Sequence, residues 1–194
     1  MAPLENINLT GQFLIAMPSM TDPRFSQTIS FICTHNEDGA MGIVLNRPSE
    51  YNVEDLLNQI ELKITPSPLL EDAVYEGGPM QTDRGFVLHV PQQEYNSTIQ
   101  INDNIALTTS KDILEAAADN QAPKKMIIAL GYAGWSAGQL EEEMGQNAWL
   151  SLEATEQQAL QKIIFDTPAN NRFKLGMDMM GLNASNLLDI AGHA

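Results

Sequence analysis

The stretch from Thr28 to Leu45 constrains this chain most, because its period and its turn residues point to the same local structure. In Thr28–Thr34, Ile29, Phe31 and Cys33 alternate with Ser30 and Ile32, the two-residue period of a strand. Asn36-Glu37-Asp38-Gly39 then supplies turn chemistry, and Ala40–Leu45 returns as the second arm of a β-hairpin. More strands surround it. Gly11–Met17 reads as a strand ended by Pro18. Ala73–Glu76, Gly85–Val90, Ser97–Ile101 and Ile105–Thr108 follow, with a turn forced at Gly77-Gly78-Pro79. Lys125–Leu130 and Ala148–Leu152 complete the set.

Helix signals lie between and after these strands. Asn52 caps a short helix to about Ile60, with Asp55 at the third helical position. Ser110 is expected to cap a helix through Asp119, and Ser136 to open another with Gln139 in the capping-box place. Thr155 and Gln158 repeat that box before Glu156–Ile164, and Thr167-Pro168 starts a last helix near Met177. Thr65-Pro66-Ser67-Pro68 is a loop too short to separate domains. Strands and helices alternate only in part, which predicts an α+β fold. The expectation is a single domain over 1–194, with 1–8 and 190–194 as flexible ends.

Composition bounds the function. Of 194 residues 43% are apolar and 18% charged, ample for a packed core. No apolar run approaches the roughly 20 residues of a membrane span. Phe13–Met17, the densest early apolar stretch, lacks a basic start, so nothing directs export. Cys33 is the lone cysteine, and a cytoplasmic location is expected. The net charge is −15, and the ten Lys and Arg are scattered, with only Lys124 and Lys125 adjacent. Nucleic-acid affinity comes from basic groups that displace phosphate counterions, so direct DNA binding is disfavoured. Anionic membranes are disfavoured for the same reason.

Four features have the form of chemistry. Gly134-Trp135-Ser136-Ala137-Gly138 satisfies G-x-S-x-G after an apolar strand and before a helix, as a nucleophile elbow requires. The triad order then needs an acid and a histidine downstream, and the only downstream histidine is the near-terminal His193. A helix-capping Ser136 is the simpler expectation, with a small serine hydrolase kept as the alternative. Gly131, Gly134 and Gly138 match neither the dinucleotide fingerprint nor the P-loop, and Glu141-Glu142-Glu143 would repel a phosphate. Cys33 and His35, two apart on one strand face, lack the further ligands of a metal site. Cys33 is expected to be a small core hydrophobe. Glu76-Gly77-Gly78-Pro79 with Arg84 could form an anion nest, but Glu76 opposes this and a plain turn is favoured. No metal ligand set, cofactor site or catalytic set is assigned.

Several longer segments resemble the YqgE/AlgH family of bacterial proteins. They are Gly11–Pro18, Asp22–Phe25, His35–Gly42, Leu45–Pro48, Tyr75–Pro79, Arg84–His89, Gly131–Leu140, Glu141–Glu143 and Asn147–Leu150, spanning roughly residues 8 to 190 in order. The resemblance implies a small, mixed, β-barrel-like sheet flanked by helices in a bacterial cytosolic protein. It also brings the label of transcriptional regulator, with no reaction, cofactor or residue role attached. The pattern contains no helix-turn-helix, so regulation by contact with another protein is expected over contact with DNA. The leading expectation is therefore a non-catalytic binding or regulatory protein.

If so, the site should lie in the turns. Asn46, Arg47, Glu76, Arg84 and Trp135 fall at strand ends, where a rigid scaffold presents functional side chains. Arginine and tryptophan are also frequent interface anchors. The expectation is that these five converge on one surface, with Trp135 partly exposed. The competing reading pairs Arg47 and Arg84 internally with Glu76 or Asp83 and makes Trp135 core.

Overall fold

The computed structural model describes residues 7–183 of the chain. Apart from Ile7 and Asn8, the two ends expected to be flexible lie outside them, as does His193.

The hairpin forms as expected from β2 (Ile29–Asn36) and β3 (Gly39–Val44). β1 (Phe13–Ala16) pairs β2 on its other edge, and β10 (Trp149–Leu152) pairs β1. β3 continues the sheet into β9 (Met126–Ser136), which pairs β6 (Met80–His89). β8 (Ile105–Thr108) and β7 (Thr98–Asn102) close that end, giving the order β10-β1-β2-β3-β9-β6-β8-β7. β5 (Ala73–Glu76) lies parallel to β9 through Tyr75↔Ala129 and Glu76↔Leu130, and β4 (Pro48–Asn52) pairs β5. Every other pairing is antiparallel, and the sheet curls into a half-barrel with five helices. The α+β class and the mixed sheet flanked by helices are as expected.

β9 is the spine and is longer than its apolar run predicts. Met126–Leu130 lies between β5 and β6, and Gly39–Gly42 of β3 pairs the segment from Ala133 to Ser136. The changeover comes at Gly131, whose φ of +75° breaks strand geometry between the two halves.

Both faces of the sheet are covered, so the alternation in β2 divides two cores. On one face Phe13, Ile29, Phe31, Cys33, Ile43, Phe86 and Leu88 pack against Leu160, Ile163, Ile164 and Met177. Those last four come from α4 (Gln157–Gln161), a π turn at Lys162–Asp166 and α5 (Ala169–Met179). Elsewhere Val74, Val87 and Ile128 pack on α1 (Val53–Gln59) and α2 (Asp112–Ala118). A third cluster joins Leu14, Ile32, Ala133, Trp135 and Trp149 to Leu140 of α3 (Gln139–Gly145). Each such buried side chain contributes about 1.5–3 kcal/mol through the hydrophobic effect.

Local capping was legible at one helix and not at three. Asn52 accepts from the Asp55 amide at 2.8 Å, and Asp55 accepts from the Asn52 amide at 3.1 Å, a reciprocal box. Ser110 is not a cap. Lys111 holds that position, while the Ser110 hydroxyl donates to Asp112 and accepts from the Ser97 amide. Glu156 replaces Thr155 as the N-cap of α4, and Ser136 is the last residue of β9. A hydroxyl claimed by a neighbouring strand or by its own chain is not free to cap.

Among the described residues no helix is long and apolar enough to cross a membrane.

Candidate functional site: a cleft at the Arg47 and Glu76 strand ends

The ends of β3, β4 and β5 and the turn before β6 enclose a cleft of about 340 Å³. Arg47, Ser49, Tyr51, Glu76, Gly78 and Thr82 line it, with Val44 and Leu130 at its apolar base. Backbone pairing brings Arg47 and Glu76 together, because the Glu76 amide donates to the Arg47 carbonyl at 2.7 Å. The Arg47 guanidinium donates to the carbonyls of Ser26 (2.8 Å) and Pro23 (3.2 Å), tying down the loop between β1 and β2. Asn46 completes the tie: its Oδ1 accepts from the Ile29 amide at 3.0 Å and its Nδ2 donates to Gln27 at 2.8 Å. Tyr51 stands 54% exposed at the rim. Arg24 borders the cleft and pairs with Asp22 at 2.6 Å.

Of the five candidates, the structure brings Arg47 and Glu76 together in the cleft, turns the Asn46 side chain to Ile29 and Gln27 beside it, and places the other two elsewhere. Arg84 borders a separate depression with Gln81 and Asp83, donates to Thr109 Oγ1 at 3.2 Å, and lies 5.7 Å from the Phe86 ring centre. Trp135 is buried at 6% exposure, not partly exposed. Its Nε1 donates to Glu143 at 2.9 Å, and its ring lies 6.4 Å from Phe25 in the loop that Arg47 holds. Trp135 therefore supports that loop from beneath. Tyr51 escaped the sequence reading because β4 is a polar strand without alternation; the Pro48 start beside Arg47 was its only signal.

The G-x-S-x-G serine ends β9 exposed to solvent, and its Oγ donates to Gln139 Oε1 at 3.1 Å. The Ser136 amide donates to the same oxygen at 3.0 Å, so Gln139 supplies the half of the capping box that was expected, while Gly138 takes the N-cap with φ +75°. Neither described histidine bonds Ser136. His35 Nδ1 accepts from the Leu9 amide at 3.1 Å, and its Nε2 meets Glu141 at 2.9 Å. His89 is bound to Val90 and Thr108. Ser136→Ala is expected to change stability by less than about 0.5 kcal/mol, below the loss expected of a true N-cap. Thermal unfolding checks this, and a fluorophosphonate probe is expected to leave the unaltered chain unlabelled.

Cys33 and His35 do not share a face. Cys33 keeps the face of Phe31 by ordinary alternation, and the register shift between Ile32 and Thr34 turns His35 to Leu9 and α3 on the opposite side. Burial pushes the Cys33 thiol far above its ordinary range. It is expected to resist a disulfide reagent in native buffer and to react fully in denaturant; stoichiometric reaction of the native chain would contradict this burial. Among the described residues no cluster of three His, Cys, Asp or Glu could hold a metal ion.

Fold and cleft together define a single-domain α+β protein whose half-barrel sheet presents a turn-lined recess at its strand ends. The chain belongs to the AlgH-like family, whose model matches residues 13–185. UPF0301 proteins of Burkholderia cenocepacia and Burkholderia ambifaria are each 50% identical over 194 residues, covering 99% of this chain and 98% of theirs. The solution structure of the AlgH protein from Pseudomonas aeruginosa superposes with a TM-score of 0.77 at 44% identity, covering 100% of both chains. A crystal structure of a Corynebacterium diphtheriae protein shares the fold at 21% identity, TM-score 0.66, covering 94% of this chain and 91% of that one.

Proposed function

We propose that this is a non-catalytic, cytoplasmic regulatory protein that acts by binding another protein, and that the Arg47–Glu76 cleft is the contact. The observation carrying this reading is the meeting of Arg47 and Glu76 beside an exposed Tyr51 in one recess. An exposed aromatic flanked by charges of both signs is the composition of an interface anchor. The backbone carrying it is held by the Asn46 and Arg47 ties, so little ordering cost accompanies binding. The net charge of −15 favours a protein partner over DNA.

The test compares cross-linked capture from native lysate by the unaltered chain and by a Tyr51→Ala, Glu76→Arg double variant. Both positions are exposed, so the variant is expected to fold. A partner captured by the first and lost with the second supports the cleft. Identical capture sets overturn it. Direct DNA recognition would instead give a sequence-specific mobility shift at physiological salt, and the serine-hydrolase alternative would give probe labelling that vanishes in Ser136→Ala.

A further inference from the structure

Arg172, in the first turn of α5, is the only Lys, Arg, Asp or Glu that is buried among the described residues, at 2% exposure. No carboxylate lies within ion-pair distance of it among those residues. Its Nε donates to the Thr167 carbonyl at 2.9 Å and its Nη1 to the Leu45 carbonyl at 2.5 Å. The guanidinium centre stands 4.9 Å from the Tyr75 ring centre. Carbonyl dipoles and an aromatic face solvate a cation without neutralising it, and an uncompensated buried charge is costly. The two carbonyl bonds and a side-chain hydrogen bond to Tyr75 still leave part of the five N–H donors of a guanidinium unused.

This cation lines a second cavity, of about 300 Å³, between β5, the first half of β9 and the start of α5. Tyr75, Ile127, Phe165 and Pro168 supply apolar wall. Two carboxylates also border it: exposed Asp72, and Asp166, which Lys125 holds at 2.7 Å. Their charge opposes a multiply charged anion such as phosphate, while the hydrocarbon wall suits a body that is not polar. Arginine matches a carboxylate through paired N–H bonds.

We infer that this cavity binds a small apolar monocarboxylate, with its carboxylate on Arg172 and its hydrocarbon body against Tyr75, Ile127 and Phe165. The cavity uses different residues from the Arg47–Glu76 cleft, so either proposal can fail without the other.

Benzoate, benzamide and inorganic phosphate are titrated separately into the full, nitrogen-15-labelled chain, and the amide resonances are followed. Benzoate is expected to give saturable shifts centred on residues 73–75, 126–128 and 165–172. Benzamide, with the same ring and no charge, and phosphate are expected to bind at least about tenfold more weakly. Arg172→Lys is expected to weaken benzoate by at least about tenfold, because an ammonium cannot form the paired contact. Asp72→Asn, which alters an exposed rim position, should tighten it by about threefold. An absence of saturable benzoate shifts at these amides overturns the proposal, as does an equal response to benzamide or phosphate. Should Arg172→Lys fail to fold, the benzoate and benzamide pair on the unaltered chain decides alone.

Discussion

Gly78→Ala is expected to destabilise the protein by about 4 kcal/mol or more and to lower the thermal midpoint by roughly 8–16 °C. Gly78 has φ +152°, a conformation side chains rarely adopt. A Cβ there would stand 2.1 Å from the Tyr132 carbonyl carbon, 2.3 Å from the Ala133 nitrogen and 2.3 Å from the Tyr132 oxygen. All three are backbone atoms of β9, which is paired on both sides and has no room to withdraw. The strain must then be absorbed by moving the Gly77–Pro79 turn away from β9, which opens the floor of the cleft. Gly85→Ala is the control. It lies in β6, the strand that follows the Gly77–Pro79 turn, and a Cβ there meets nothing within 4 Å. Calorimetry on the two variants separates close backbone approach from the ordinary entropy change of replacing glycine. Equal, small effects would show that the turn can relax.

Glu143→Ala is expected to cost about 3 kcal/mol, a large effect for one half-buried surface residue. Its Oε2 accepts from both indoles, Trp135 Nε1 at 2.9 Å and Trp149 Nε1 at 2.8 Å, and its Oε1 accepts from Gln139 at 2.9 Å. Both tryptophans are buried, and their rings cross edge to face at 5.9 Å. Truncation strands two indole N–H donors, each worth about 1–3 kcal/mol when left unsatisfied. Glu143→Gln keeps a carbonyl oxygen that can accept from both and should lose about 1 kcal/mol. Denaturant unfolding followed by tryptophan fluorescence measures both variants. A loss in Glu143→Ala no greater than in Glu143→Gln would mean that water satisfies the indoles.

Strand pairing explains why Arg47 and Glu76 met in the cleft while Arg84 and Trp135 did not. Arg47 and Glu76 sit at the ends of β4 and β5, so one strand pairing sets their proximity. Arg84 falls inside the register shift between Met80 and Gly85, which carries it away from the turn before β6. By sequence, Trp135 lies beyond the expected Lys125–Leu130 strand, at its end. β3 pairs the segment around Trp135, through Ala40↔Trp135 and Met41↔Gly134, and it becomes strand. Local propensity yields wherever a partner strand supplies the hydrogen bonds.

What the sequence determined by itself were the elements whose stabilising partners lie within a few residues. The Asn36–Gly39 hairpin turn, the Asn52 and Asp55 box, and the strand Ile105–Thr108, paired to its neighbour β7, appear at or near their expected bounds. Only the tertiary structure decided the length of β9, the existence of β4, the opposite facing of Cys33 and His35, and the burial of Arg172. Each of these depends on groups far away in the chain. β9 is extended by β3, the bulge in β2 is set by pairing across the hairpin, and Arg172 is held by the carbonyl of Leu45. A two-residue period describes a strand only until one extra residue shifts it, and no local pattern reports how deeply a distant sheet will bury a charge.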